Sequence, residues 1–239
     1  MLSAMRVPES ISSPANPALG EFRRAAAGRL EGAVLVEGVR LCREVAASGR
    51  VRAALWSDAL LARPGGPELR DRLLGLPGPV RLLEAPERLI ARVSPVEACQ
   101  GVLLLVERPS WRLEALLQGR PFLALLCGLQ DPGNVGALVR SAEAAGATGV
   151  LVLPGSADPL GPKALRAGAG SALRLPWARL SGPEEAVQRL AAAGIALYAS
   201  DAARGVDYRK VVYEAPLAFA LGAEAAGVPA AILAAARSS

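Results

Sequence analysis

Two polar side chains near the middle of the sequence, Asn134 and Arg140, have the types and spacing for chemistry on an anion or a sugar. They follow the apolar segment 122–127 and a glycine-bearing turn. In a helix that begins near Val135, the arginine lies about one and a half turns in, and its long side chain can reach back to the helix start. A planar guanidinium beside an amide can bind a phosphodiester or a ribose through hydrogen bonds. The alternatives are an arginine on a solvated helix face and an asparagine that bonds within its own turn.

The turn itself, residues 133–136, has a glycine at each end and stands at the start of the predicted helix. Backbone N–H groups and the helix dipole attract anions at such a position. The segment lacks the third glycine of a dinucleotide fingerprint and the Lys-Ser/Thr pair of a P-loop. A tight turn without a ligand is therefore the alternative interpretation.

A third candidate is the segment 222–227, which directly follows the apolar run 217–221. Glycine at this position lets backbone amides approach a ligand closely. Glu224 within it is either a cation ligand or a helix cap.

Histidine is absent, and the three cysteines, Cys42, Cys99 and Cys127, are widely spaced in apolar surroundings. This composition excludes His-based catalytic triads and HExxH metalloenzymes, leaves no plausible zinc site, and favours buried free thiols over disulfides. We expect no metal. Any chemistry must come from Arg, Asn, Ser, Glu, Asp or a bound cofactor.

The composition is that of a large, mildly basic chain. Its 239 residues are 52% hydrophobic, which is enough for two cores, and the net charge of +5 permits binding to a polyanion such as RNA without establishing it. No apolar run approaches the roughly 20 residues of a membrane span, and the N-terminus does not resemble a signal peptide. We expect a cytoplasmic protein.

Helices and strands alternate along the chain, which predicts an α/β fold in two domains. Residues 1–13 are polar without periodicity and predict a flexible leader. A small α/β domain is predicted over 14–108, a linker over 109–120, and a second α/β domain with a parallel sheet over 121–239. The strand, turn and helix around residue 128 place Asn134 and Arg140 near a strand's carboxyl end, where open α/β sheets hold their ligands.

The segments 131–146, 168–171 and 221–229 resemble the first, intermediate and second motifs of the SpoU (TrmH-type) RNA 2′-O-ribose methyltransferases of the SPOUT class. The resemblance covers residues 121–236. The first half, through 13–17 and 35–38, is similar to the ribosomal-protein-like RNA-binding domain that many of these enzymes carry, especially those acting on large-subunit ribosomal RNA.

The resemblance implies a trefoil-knotted C-terminal domain, a homodimer, and S-adenosylmethionine as the cofactor. It implies that Asn134 and Arg140 face the target ribose as catalytic and RNA-binding residues, and that Glu37 and Gly38 contact RNA. The residues implied for the cofactor pocket are Ser200, Leu221, Gly222, Ala223, Glu224 and Gly227.

The family's third motif, a strand and a Ser-Leu-Asn-bearing helix that threads the knot, is absent from the sequence, so we expect the knot to be incomplete. Either the sequence is a truncated version of a longer chain, which is our expectation, or it is a homologue that has lost half of its cofactor site. The first alternative predicts an S-adenosylmethionine-dependent RNA 2′-O-methyltransferase with ribosomal RNA as the expected substrate. The second predicts a non-catalytic RNA-binding protein, and an accidental motif match would leave a nucleotide-binding α/β protein.

Overall fold

The computed structural model describes residues 6–96, 98–201 and 207–237. The chain divides into two compact units, residues 1–109 and 110–239. Both units alternate helices with strands, so the expectation of an α/β fold is confirmed.

The first unit is built around a five-stranded mixed sheet. Its strands are β1 (Glu9–Ser10), β2 (Ala33–Glu37), β3 (Val51–Trp56), β4 (Arg81–Glu84) and β5 (Val102–Glu107). Its helices are α1 (Pro17–Ala26), α2 (Val39–Ala46), α3 (Gly66–Leu74) and α4 (Glu87–Ala91), with a 3₁₀ helix at Asp58–Ala62. The strand order is β1-β4-β3-β5-β2, with β5 antiparallel to both of its neighbours and the remaining pairs parallel. One face of the sheet packs on α1 through Leu19 and Phe22, which are fully buried.

The prediction that residues 1–13 form a flexible leader is wrong for residues 9–11. Strand β1 pairs with β4, and the side chain of Ile11 is buried in the core. The Arg6 guanidinium also donates hydrogen bonds to the carbonyls of Leu76 and Gly78, at 3.2 and 2.9 Å. A two-residue strand is too short to show periodicity, so only its distant partner reveals it.

The second unit is built around a five-stranded sheet in which every strand is parallel, as predicted. Its strands are β6 (Phe122–Cys127), β7 (Gly149–Val152), β8 (Trp177–Arg179), β9 (Ala196–Ala199) and β10 (Leu217–Gly222). Its helices are α5 (Leu113–Leu116), α6 (Pro132–Ala144), α7 (Pro162–Ala167), α8 (Pro183–Ala192) and α9 (Ala230–Ala235), with 3₁₀ helices at Ser171–Leu173 and Tyr208–Lys210. The strand order is β8-β7-β6-β10-β9.

Helices cover both faces of this sheet, which explains why its strands read as continuous apolar runs. Leu123 and Leu125 of β6 pack in one cluster with residues of α5, α8 and α9. The alternate residue Leu126 is equally buried, and α6 contacts β6 and β7 without joining that cluster.

The predicted linker 109–120 is in large part a packed segment of the second unit. Trp111 lies 6.2 Å from Trp177 between ring centroids, and Leu116 of α5 is buried in the core. The short helix α5 lies beside the three-residue strand β8, which the sequence pattern also did not predict. Both elements are too short to be stable alone, so they form only because they pack on the sheet.

Candidate cofactor and RNA site

The second unit has a topological switch point at the centre of its sheet. Strands β6 and β10 are neighbours, but the chain runs from β6 outward to β7 on one side and arrives at β10 from β9 on the other. Open α/β sheets bind ligands beyond the carboxyl ends of their strands at such a reversal. The segments that leave these two ends begin at residues 128 and 223, and they lead into or lie within the predicted motif segments 131–146 and 221–229.

The segment after β6 is held by Asp131, the N-cap of α6. One carboxylate oxygen, Oδ1, accepts hydrogen bonds from the backbone N–H groups of Gly133 and Asn134, at 2.6 and 3.1 Å. The other, Oδ2, accepts from Lys163 Nζ of α7 at 2.7 Å. The hydrogen bond from Lys163, followed by that from the Asn134 amide, holds the pKa of Asp131 below its ordinary value. An Asp cap followed by Pro132 satisfies the free N–H groups of a helix start.

Asn134 connects the two sides of the switch point. Its side-chain amide, Nδ2, donates a hydrogen bond to Glu224 Oε1 at 3.2 Å, and both residues are exposed to solvent. The structure thus joins two predicted site residues that are 90 positions apart in the sequence.

The loop that carries Glu224 is closed tightly on itself. Gly227 N donates to Ala223 O at 2.8 Å, and a Cβ at Gly222 would overlap the backbone of Gly227 and Val228. Glycine at position 222 does allow a close backbone approach. The approaching backbone, however, is that of the chain's own loop.

A cleft of about 420 Å³ lies at the carboxyl edge of the sheet. It is lined by residues 127–128, 153–154, 181–184, 226, 227 and 229. This volume is within the range of about 300–1,000 Å³ that is usual for small-molecule sites. Desolvation by burial raises the pKa of the Cys127 thiol to about 12, so the cleft wall carries a neutral thiol.

Of the six residues predicted for the cofactor pocket, Gly227 alone lines this cleft. Ser200 is exposed, and its hydroxyl donates to the Ala220 carbonyl at 3.2 Å. Leu221 and Ala223 are half-buried at the end of β10. All six assignments remain predictions.

Arg140 lies on α6, one turn beyond Gly136. Its side chain is exposed, and within the described ranges it forms no hydrogen bond or ion pair. No hydrogen bond therefore joins the arginine to Asn134 or Glu224, and its predicted role depends on RNA.

The expectation that Glu37 contacts RNA does not fit its burial. This side chain is only 4% exposed, and its Oε1 accepts a hydrogen bond from the Ser94 hydroxyl at 2.7 Å. Gly38 is the N-cap of α2, where the Gln100 side-chain oxygen accepts from Val39 N at 2.8 Å. Gly38 stays a prediction, whereas the Glu37 carboxylate faces the interior of the first unit.

Two residues that support the site were missed in the sequence, and a third was predicted in another role. Asp131 carried a detectable signal, because Asp followed by Pro is typical of a helix start. Lys163 carried no signal, since its partner Asp131 is 32 residues away. The third, Gly136, was predicted to end an anion-attracting turn, but it lies inside α6, where the backbones of α6 and α7 cross closely.

Two kinds of feature are absent from residues 6–96, 98–201 and 207–237. In these ranges no three His, Cys, Asp or Glu side chains are grouped so that they could hold a metal ion. No helix there is long and apolar enough to cross a bilayer.

Comparison with known sequences identifies relatives of the second unit. The model of the SpoU rRNA Methylase family matches residues 121–239. The 23S rRNA (guanosine(2553)-2′-O)-methyltransferase RlmP of Bacillus subtilis is 33% identical over 147 residues, which are 62% of this chain and 57% of that protein. The match thus spans little more than half the length of that relative.

Solved structures resemble nearly the whole chain. The AdoMet-bound rRNA methyltransferase from Sinorhizobium meliloti has a TM-score of 0.77 at 26% identity, over 95% of this chain and 86% of its own. The SpoU methyltransferase AviRb from Streptomyces viridochromogenes, in complex with AdoMet, has a TM-score of 0.78 at 26% identity, over 93% and 87%. The predicted family is confirmed: through residues 121–239, the chain belongs to the SpoU rRNA Methylase family.

Proposed function

We propose that this protein is an S-adenosylmethionine-dependent RNA 2′-O-ribose methyltransferase and that its substrate is ribosomal RNA. The observation that carries the proposal is the Asn134–Glu224 hydrogen bond across the carboxyl ends of β6 and β10. It joins the first and second motif segments beside a cleft of suitable size. The names of relatives that methylate rRNA and the AdoMet-bound neighbours support the substrate and the cofactor.

The cofactor, when bound, supplies a methyl group activated by its sulfonium. The residues that would hold it are the backbone of 221–224 and Gly227, with Ser200 at the end of β9. The neutral Cys127 thiol is compatible with this site. A thiol becomes a strong nucleophile only as the thiolate, so the neutral thiol would not compete with the ribose for the methyl group.

Asn134 and Arg140 act on the ribose side of the reaction. Asn134, held by Glu224, orients the sugar, and Arg140 stabilises the oxyanion that develops as the hydroxyl proton leaves. A guanidinium gives up its proton too reluctantly to act as a literal base. The proton therefore passes to water or to a neighbouring phosphate, with the guanidinium as an electrostatic stabiliser.

The direct test is methyl transfer from labelled S-adenosylmethionine to ribosomal RNA fragments by the full chain. Arg140→Ala should abolish transfer and leave RNA affinity within about threefold, because one exposed guanidinium is a small part of a phosphate-contacting surface. The matched control is Arg112→Ala, since Arg112 is an exposed arginine of the same unit. Near wild-type turnover in Arg140→Ala would refute the assigned role. RNA binding without any transfer by the wild type would favour the non-catalytic alternative.

The remaining parts of the proposal rest on the family resemblance. The first unit serves as the RNA-binding domain, the second as the methyltransferase domain with a trefoil knot, and the protein acts in the cytoplasm as a homodimer. Sedimentation equilibrium measures the mass directly, and a monomer at micromolar concentration would contradict the dimer.

A further inference from the structure

Lys163 connects helix α7 to the first turn of α6. Its ammonium group donates to Asp131 Oδ2, while Oδ1 of the same carboxylate caps the amides of Gly133 and Asn134. The lysine therefore favours the carboxylate orientation in which Oδ1 faces the helix start. The Asn134 side chain in turn donates a hydrogen bond to Glu224. Lys163, Asp131, Asn134 and Glu224 thus connect α7, α6 and the loop after β10.

The lysine is mounted on a helix that is fixed relative to α6. A Cβ on Gly136 would overlap Ala164 O, and it would lie 2.9 Å from Gly168 N, so the two helix backbones are in direct contact. Ala164 is the neighbour of Lys163 in the chain. Groups mounted on rigid, packed elements hold a site geometry more accurately than groups on loops.

We propose that Lys163 is a positioning residue for methyl transfer: through Asp131 it holds the first turn of α6, and so Asn134, against Glu224, without touching RNA or cofactor. The proposal rests on the function proposed above. Its rival is a direct contact between the lysine and an RNA phosphate, which an exposed ammonium group could also make.

The exposure of the pair limits the expected effect. The side chains of Lys163 and Asp131 are 59% and 47% exposed. Exposed ion pairs contribute little because solvent screens them, and their loss changes a rate by about fivefold at most. Loss of the pair should therefore lower kcat by about two- to fivefold. A much larger loss would mean that the lysine does more than hold Asp131.

The experiment uses single-turnover and steady-state methyl transfer by the full chain. Lys163→Met removes the positive charge, and Lys163→Arg keeps it. Asp131→Asn keeps the capping oxygen and removes the ion pair. The sequence contains only one other lysine, Lys210, which is exposed, so Lys210→Met is the matched control.

Positioning predicts that Lys163→Met and Asp131→Asn each lower kcat by about two- to fivefold, with the KM for RNA within about twofold of wild type. The double variant should be no worse than either single one, and Lys163→Arg and Lys210→Met should behave like wild type. A phosphate contact predicts instead a raised KM in Lys163→Met and an unchanged or lowered KM in Asp131→Asn. That pattern, or an unchanged kcat in Asp131→Asn, would overturn the proposal.

A structural readout separates this proposal from the function on which it rests. If the wild type transfers no methyl group, the proposed function fails. The positioning is then measured by NMR as amide hydrogen exchange at Gly133 and Asn134. Lys163→Met should speed this exchange at least twofold relative to Lys210→Met, and equal rates would overturn the positioning itself.

Discussion

Replacing Gly136 by alanine tests the close crossing of α6 and α7 on which the site depends. The position is buried in the interior of α6, two residues after Asn134. In an open helix this change would be stabilising, because alanine has the higher helix propensity by about 1 kcal/mol. Here the new methyl group meets backbone that cannot rotate away.

The expected cost follows from the contacts at this position. The added Cβ would overlap Ala164 O, and it would lie 2.9 Å from Gly168 N and 3.0 Å from Ala164 C. Carbon contacts normally lie at about 3.5–4.0 Å, so relief of the overlap with Ala164 O requires the helices to separate by more than about 1 Å. Overpacking of this kind costs about 1–3 kcal/mol, and rigid backbone on the opposing side places this position in the upper half of that range. After subtracting the helix propensity, the net destabilisation should be about 1–2 kcal/mol.

Gly20→Ala is the matched control, because it makes the same change in the interior of α1. The nearest atom to its new Cβ would be Arg24 Nη1 at 3.8 Å, an ordinary contact. It should stabilise the first unit by about 0.5–1 kcal/mol. Urea unfolding followed by circular dichroism gives the free energy of each transition, and hydrogen exchange assigns each transition to a unit.

Methyl transfer provides a second measurement on the same variants. Because α6 carries Asn134, its displacement should lower kcat by about tenfold or more in Gly136→Ala, with no change in Gly20→Ala. If Gly136→Ala were as stable as wild type, or more stable, the inferred backbone contact between the helices would be wrong. Lost stability with full activity would show that α6 does not position the reacting groups.

Two further predictions concern titratable groups. Arg174 holds Glu143 through two hydrogen bonds of 2.8 Å, and these bonds lower the pKa of Glu143 from its ordinary 4.5. The pair therefore stabilises the fold above pH 4.5, and this stabilisation is lost as the pH falls through the lowered pKa. Glu143→Gln should lower the free energy of unfolding by about 1 kcal/mol at pH 7. Equal urea midpoints for variant and wild type at pH 7 would contradict this. Burial raises the pKa of Cys127 to about 12. Iodoacetamide at pH 8.5 should therefore label Cys127 at least tenfold more slowly in the folded protein than in urea, as followed by mass spectrometry. Equal labelling rates would disprove its burial in the cleft wall.

The sequence was sufficient for the features that depend on local pattern. Continuous apolar runs predicted the parallel strands β6 and β10, because strands covered on both faces have no polar alternation. The motif segments predicted a site at the carboxyl ends of these strands. Local pattern could not reveal β1 or β8, since strands of two and three residues are stabilised almost entirely by their partners.

Only the tertiary structure decided which side chains meet. It joins Asn134 to Glu224 and Asp131 to Lys163, pairs that are 90 and 32 residues apart, and it buries the Glu37 carboxylate that a surface role would need exposed. The sequence by itself determined the residue types available for chemistry, the absence of histidine, and the alternation of the longer helices and strands. Proximity and solvent exposure depend on how distant segments pack, and a linear pattern of residue types does not contain that information.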